Sequence, residues 1–228
     1  MLRPVTPPSV STSDRLRAAW QRRHETDYEF DVRSAFGWFA ITLGGYGLFI
    51  LDRLMRRSLE HNRRRAALFD AAAAFAWEQA RAQGRSVELR PNFEVIADRI
   101  RVLDEQASRF RDPALWVVLS VVTFGVAGLF AWRAIDADLV EHDAAERALE
   151  AELAFIYSRL GWRIRSPDPS PAKGRHNFAG RVAATIASCG IYSLWWMRDL
   201  MVEGNEHLER NWWFEDDLAL ASQSLMAA

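Results

Sequence analysis

The 228-residue chain has one cysteine, Cys189, and so little thiol chemistry that an internal disulfide framework or a multi-cysteine metal site is excluded. Cys189 lies among small residues, where filling a close helix contact is its expected use. There is no phosphate-binding glycine loop, no nucleophile elbow and no H-E-x-x-H pair. The first thirty residues are polar and offer no apolar stretch of signal-peptide type, so the first hydrophobic run is expected to be retained. Neither sign of charge dominates, with 29 Lys and Arg against 30 Asp and Glu. No nucleic-acid partner is expected.

What is present is a strong segregation. Half of the residues are apolar, yet mean hydropathy is slightly negative at -0.16. The apolar residues gather into three charge-free runs, Ser34 to Leu51, Pro113 to Trp132 and Val182 to Met197. About 20 apolar helical residues span a hydrocarbon core, so the second run has spanning length, the first is borderline and the third is short. The first two runs are apolar around the whole helix circumference, which a surface helix of a globular protein is not. Trp38, Trp116, Trp132, Trp195 and Trp196 lie near the run ends, and Arg33, Arg53, Arg133, Arg181 and Arg198 flank them, as interfacial indoles and guanidiniums do. The expectation is an all-α membrane protein placed in a bacterial inner membrane, with the lipid bilayer as a partner.

The three runs also align without gaps on Gly44, Gly125 and Gly190. Thr42, Thr123 and Ser188 fall two places before the glycine, and Gly47, Gly128 and Ser193 three after it. The register continues into Glu60, Glu141 and Glu206, each followed by a histidine: His61, His142 and His207. Further on, Leu68, Ala72 and Phe75 correspond to Leu149, Leu153 and Ile156 and to Phe214, Leu218 and Ala221, an i, i+4, i+7 stripe on each post-membrane helix. Charges such as Arg63, Arg64, Glu146, Glu150, Glu209 and Asp216 are expected on the other side. The repeated unit is therefore a hydrophobic segment, transmembrane or re-entrant, plus an amphipathic polar helix.

These patterns divide the chain into a disordered N-terminus at residues 1–13, a first unit with a leading helix at 14–83, a helical connector at 84–112, a second unit at 113–161, a Pro/Ser-rich loop at 162–178 and a third unit at 179–228. Ser11 to Ser13 offer an N-cap to the leading helix. In the connector, Gly84 and Pro91 bracket an expected break.

The third copy, S-C-G-I-Y-S-L-W-W from Ser188 to Trp196, resembles a widespread bacterial membrane domain family of unknown function whose hallmark is T-x-G-I-Y-x-x-Y-W. Ser188 stands for the Thr and Trp195 for the second Tyr. The first copy keeps Thr42, Gly44 and Tyr46 but has Gly45 for the Ile and Ile50 for the Trp; the second has Ala127 for the Tyr and Ala131 for the Trp. The resemblance implies membrane location and transfers no catalytic residue.

Two readings of the Glu-His pairs stay open. Convergence of His61, His142 and His207 would make a metal site with the glutamates nearby, although adjacent helix residues diverge by about 100°. The preferred alternative is that each pair caps or cross-links a neighbouring unit, with no metal and no cofactor. The glycines likewise either let helices approach closely or turn the chain back in a hairpin. Similar polar helices after all three runs favour a common side and hence re-entrant segments, unless the repeats form an inverted pair. Absent catalytic motifs and buried charges in the runs disfavour an enzyme, and the reading is a membrane-embedded scaffold or membrane-shaping accessory protein that self-assembles as a homo-oligomer or organises membrane-protein partners. The alternative is a small oligomeric channel lined by Thr42, Thr123, Ser188 and the glycines. The acidic third helix is expected to dock on the Arg-rich helix after the first run, within or between molecules.

Overall fold

The computed structural model describes residues 11–107, 112–165 and 174–226. Within them the regular structure is helical throughout: α1 Thr12–Gln21, α2 Arg23–Thr26, α3 Val32–Ile41, α4 Tyr46–Ala82, α5 Ser86–Ala107, α6 Pro113–Val122, α7 Val126–Arg159, α8 Phe178–Ala187 and α9 Tyr192–Met226. Ser11 caps α1 by accepting from the Asp14 N–H. Most of the expected disordered N-terminus and the centre of the Pro/Ser-rich loop lie outside the described residues. Pro91 does not break the chain; it sits inside α5, and the reversal from α4 is made at Gly84, whose φ is 71°.

Each apolar run folds back on itself. The short helices α3, α6 and α8 have 10 residues each, then the chain reverses into the long helices α4, α7 and α9. The three reversals share one construction. Leu43, Phe124 and Cys189 adopt φ of 50°, followed by Gly44, Gly125 and Gly190 at 92°, 90° and 93°. The glycine N–H reaches back to the carbonyls of Phe39, Ser120 and Thr185 at 2.9, 2.7 and 2.7 Å, the six-to-one bond of a Schellman cap. Two successive left-handed residues require the second to be glycine, because a Cβ there carries a cost of about 1–2 kcal/mol. Thr42, Thr123 and Ser188 then accept from the N–H groups of Tyr46, Ala127 and Tyr192 at 2.8, 2.9 and 2.9 Å, starting the long helices. These hydroxyls are spent on backbone capping. Gly125→Ala is expected to lower stability by about 1–2 kcal/mol. The cost is conformational, since nothing lies within 4 Å of the added Cβ. Urea denaturation of the variant measures it.

The hairpins correct the membrane reading. Among the described residues no helix is long and apolar enough to cross a membrane. Each run supplies two short arms instead of one span, and a 10-residue arm is about 15 Å long, half of a hydrocarbon core. The transmembrane segments, and the inner-membrane placement built on them, are therefore withdrawn.

The three reversals lie together at one end, where residues of all three hairpins line one cavity. The long helices leave that end in parallel and pack along their length. Near the tips an apolar cluster joins Ile50, Leu54, Met55, Ile135, Trp196 and Leu200. At the far end the three expected stripes, from Leu68 to Ala221, meet in a second cluster covered by α1 and α5. Between the two clusters lies a layer of buried polar side chains, among them Arg57, His61, Arg64, Arg65, His142, Glu146, His207 and Glu215.

Candidate metal centre

The polar layer begins seven residues, about two turns, before the apolar stripe of each long helix. Seventeen residues past each tip glycine, the inward position is a histidine: His61 on α4, His142 on α7 and His207 on α9. All three are buried, at 3%, 1% and 3% exposure. Their ring centroids form a nearly equilateral triangle with sides of 5.3, 5.8 and 6.0 Å. The adjacent Glu60 and Glu206 point outward and are exposed, and Glu141 is half-buried and ion-paired with Arg175, so the 100° divergence separates each Glu from its His.

The acid in the centre is one that the sequence reading put on the outer face: Glu146, one helical turn beyond His142 and 1% exposed. Its carboxylate lies 3.1 Å from His142 Nε2, 3.3 Å from His207 Nε2 and 3.9 Å from His61 Nε2. The outer nitrogens of two rings are fixed by carboxylates. His61 Nδ1 donates to Asp27 at 3.0 Å, and His207 Nδ1 donates to Asp143 at 3.0 Å. Asp27, just after α2, also accepts from Arg64 and from the Trp212 indole, both at 2.7 Å. Burial works against its charge, but His61 and Arg64 hold its carboxyl far below the usual range. With Nδ1 protonated, the Nε2 lone pairs face the centre, the tautomer that metal-bound histidines adopt. Burial pushes His61 down to about 4, against the pull of Asp27, so its ring is neutral at neutral pH.

Neither ring nitrogen of His142 makes a hydrogen bond among the described residues. Its Nε2 approaches Glu146 without the alignment of a donated bond, an arrangement suited to a shared cation. The Asn211 amide donates to Glu146 at 2.8 Å and to His207 Nε2 at 3.0 Å, filling the space between the rings. One ligand atom from each of His61, His142, His207 and Glu146 can be chosen so that all lie within 4.8 Å of one another. Beside them is a cavity of about 30 Å³, room for about one water. Arg57 forms part of its wall and lies so close to α9 that a Cβ at Gly204 would collide with it.

No protein family, curated protein or solved structure matches this chain.

The carboxylates beside the histidines are balanced by Arg65, which is fully buried. It bonds Glu146 at 2.6 Å, Glu150 at 2.5 Å and Glu215 at 3.1 Å. Glu215 in turn takes both guanidinium nitrogens of Arg64, at 2.7 and 2.8 Å, so the acidic third helix docks on the Arg-rich first helix within the molecule. Burial would raise the Glu146 carboxyl, but Arg65 and the histidines hold it well below the ordinary value. Glu150 goes the other way: burial lifts it to about 7, with Glu146 and Glu215 adding to the rise against Arg65. A carboxyl that titrates near 4.5 when unfolded and near 7 when folded stabilises the fold fully below 4.5, and that contribution is lost as pH rises through 7. It is on the order of 3 kcal/mol. Glu150→Gln, which cannot ionise, should lack this slope. Denaturation with chelator present at about pH 5 and about pH 8 reads the difference.

Glu146, Asp27, Asp143, Arg65 and Asn211 were missed as site residues by the sequence reading. Arg65, Glu146 and Asn211 occupy one repeat position, four residues past each histidine, and that triplet was the available signal.

Proposed function

We propose that this chain is a non-enzymatic helical scaffold whose three units are clamped by one divalent transition-metal ion, held by His61, His142, His207 and Glu146. The observation that carries the reading is the convergence of three imidazoles and one carboxylate from all three units, two of the rings oriented by Asp27 and Asp143. Three neutral nitrogens and one carboxylate oxygen are a four-ligand set for zinc, and imidazole also suits iron, nickel and copper. Glu146 neutralises one of the two charges, and the Asp27 and Asp143 carboxylates lie one bond further out. The Asn211 amide yields its place when the ion binds. A channel reading lacks its lining, since Thr42, Thr123 and Ser188 cap helices.

The test is stoichiometry. Protein stripped with a chelator, dialysed against dilute zinc and passed over a desalting column should carry one zinc per chain by elemental analysis. Wild-type protein that retains none would overturn the assignment.

A further inference from the structure

We infer that the cavity among the three hairpin tips is a binding site for a single hydrocarbon chain. This rests on the tip end of the molecule and not on the metal reading. The cavity, about 340 Å³, lies within the range of small-molecule sites. Its wall takes Phe39, Leu48 and Leu51 from the first hairpin and Phe124, Leu129 and Trp132 from the second, with the third hairpin contributing Thr185, Gly190 and Ser193.

The lining has three hydroxyls, and each is committed to its own helix. Ser120 donates to the Trp116 carbonyl at 2.7 Å, Thr185 to the Arg181 carbonyl at 2.8 Å and Ser193 to the Gly190 carbonyl at 2.6 Å. No charged residue lines the cavity. Trp132 Nε1 makes no hydrogen bond among the described residues, so the wall offers one indole donor, and any further polar group of a ligand would lose its water unpaired, which costs about 1–3 kcal/mol per group. An alkyl or acyl chain loses nothing. The rim extends the same chemistry, because Leu43 and Phe124 are 96% and 98% exposed and Ile41, Ile186 and Ile191 are exposed beside them. The charge-free tip surface is bounded by Arg33, Arg53, Arg133 and Arg198, all exposed. Asp31 and Asp112 at the same level accept from helix N-termini, Asp52 pairs with Arg56, and Asp199 pairs with Arg181 at 2.7 Å and with Arg198 at 3.5 Å. An anionic head outside the cavity therefore meets cations.

Such a chain comes either from a monomeric amphiphile in solution or from a lipid of a bilayer surface. The experiment uses the full chain, labelled at its single cysteine, the exposed Cys189 beside Gly190, with an environment-sensitive fluorophore. One arm titrates straight-chain carboxylates of increasing length below their micelle concentrations; the other titrates phosphatidylglycerol vesicles. Binding in the first arm should tighten about fourfold per added methylene, the value of burying one CH₂. A response to vesicles alone identifies bilayer lipid as the source. Val126→Glu, at a rim position 54% exposed, should weaken either response at least tenfold with an unchanged thermal midpoint. The inference is overturned by silence in both arms, by affinity independent of chain length with no vesicle response, or by a doubled mass whose fluorophore is already shifted without lipid. That last outcome would make a second copy of the chain the occupant.

Discussion

Arg65→Met is expected to be the most destabilising single substitution in the chain, at about 3–5 kcal/mol. Arg65 is fully buried and bonds three carboxylates from two other helices, so its removal strands Glu146 and Glu150 without their guanidinium and leaves Glu215 to Arg64 alone. Methionine nearly matches the volume of the stem, which confines the loss to charge and hydrogen bonds. Protonating the stranded acids is the only relief available to the metal-free protein, so the deficit grows as pH rises. Saturating zinc should return part of it, because the ion places positive charge on the Glu146 carboxylate. Chemical denaturation of the variant with and without zinc measures both effects, with Arg63→Met, on the exposed side of the same helix, as the neutral control. A loss under about 1 kcal/mol would show that the arginine is not what holds these helices together.

His142→Ala is expected to separate metal binding from folding. In the metal-free protein neither ring nitrogen of His142 makes a hydrogen bond among the described residues, so little polar stabilisation is lost with the ring. With metal the contrast is large. Zinc at a thousand times its dissociation constant stabilises the wild type by about 4 kcal/mol, and this increment should vanish in His142→Ala. Asp143→Asn, which leaves all four ligands in place but weakens the hold on His207 Nδ1, should lower zinc affinity about 10–100-fold. Equal zinc responses in wild type and His142→Ala, read by titration calorimetry and thermal melts, would sink the assignment.

Much of this architecture was legible because it is written three times. The tip glycines, the Thr/Ser before them, the histidines and the apolar stripes all occupy common repeat positions, and each set plays one structural part in all three units. Whether each run spans or turns back stays open in the sequence for a physical reason. A run that is apolar on every face looks the same whether it is one continuous helix or two arms joined by a turn, and the turn here begins at Leu43 and Phe124, residues without the usual signature of left-handed backbone. Backbone bonds and the Thr or Ser hydroxyl make the reversal, so the capping hydroxyl two places before the glycine was the visible cue. Glu146 stayed hidden because a charged residue on a long helix is ordinarily solvated, and its inward direction depends on the arginine of another unit. Asp27 lies outside the repeat altogether, and no internal comparison reaches it.

The residue four places past each histidine sets a limit on symmetry. Arg65, Glu146 and Asn211 hold equivalent positions, yet they touch: Arg65 bonds Glu146 at 2.6 Å and Asn211 bonds it at 2.8 Å. A trimer of identical subunits would place one residue type at all three corners. Three arginines or three glutamates so close cannot all remain charged, and three asparagines supply no anion. The histidine triangle is compatible with a symmetric trimer, whereas the ring beneath it is not. Joining the units in one chain is what allows a cation, an anion and an amide to share that level, so exchange of whole units between positions would break the centre even with every histidine kept.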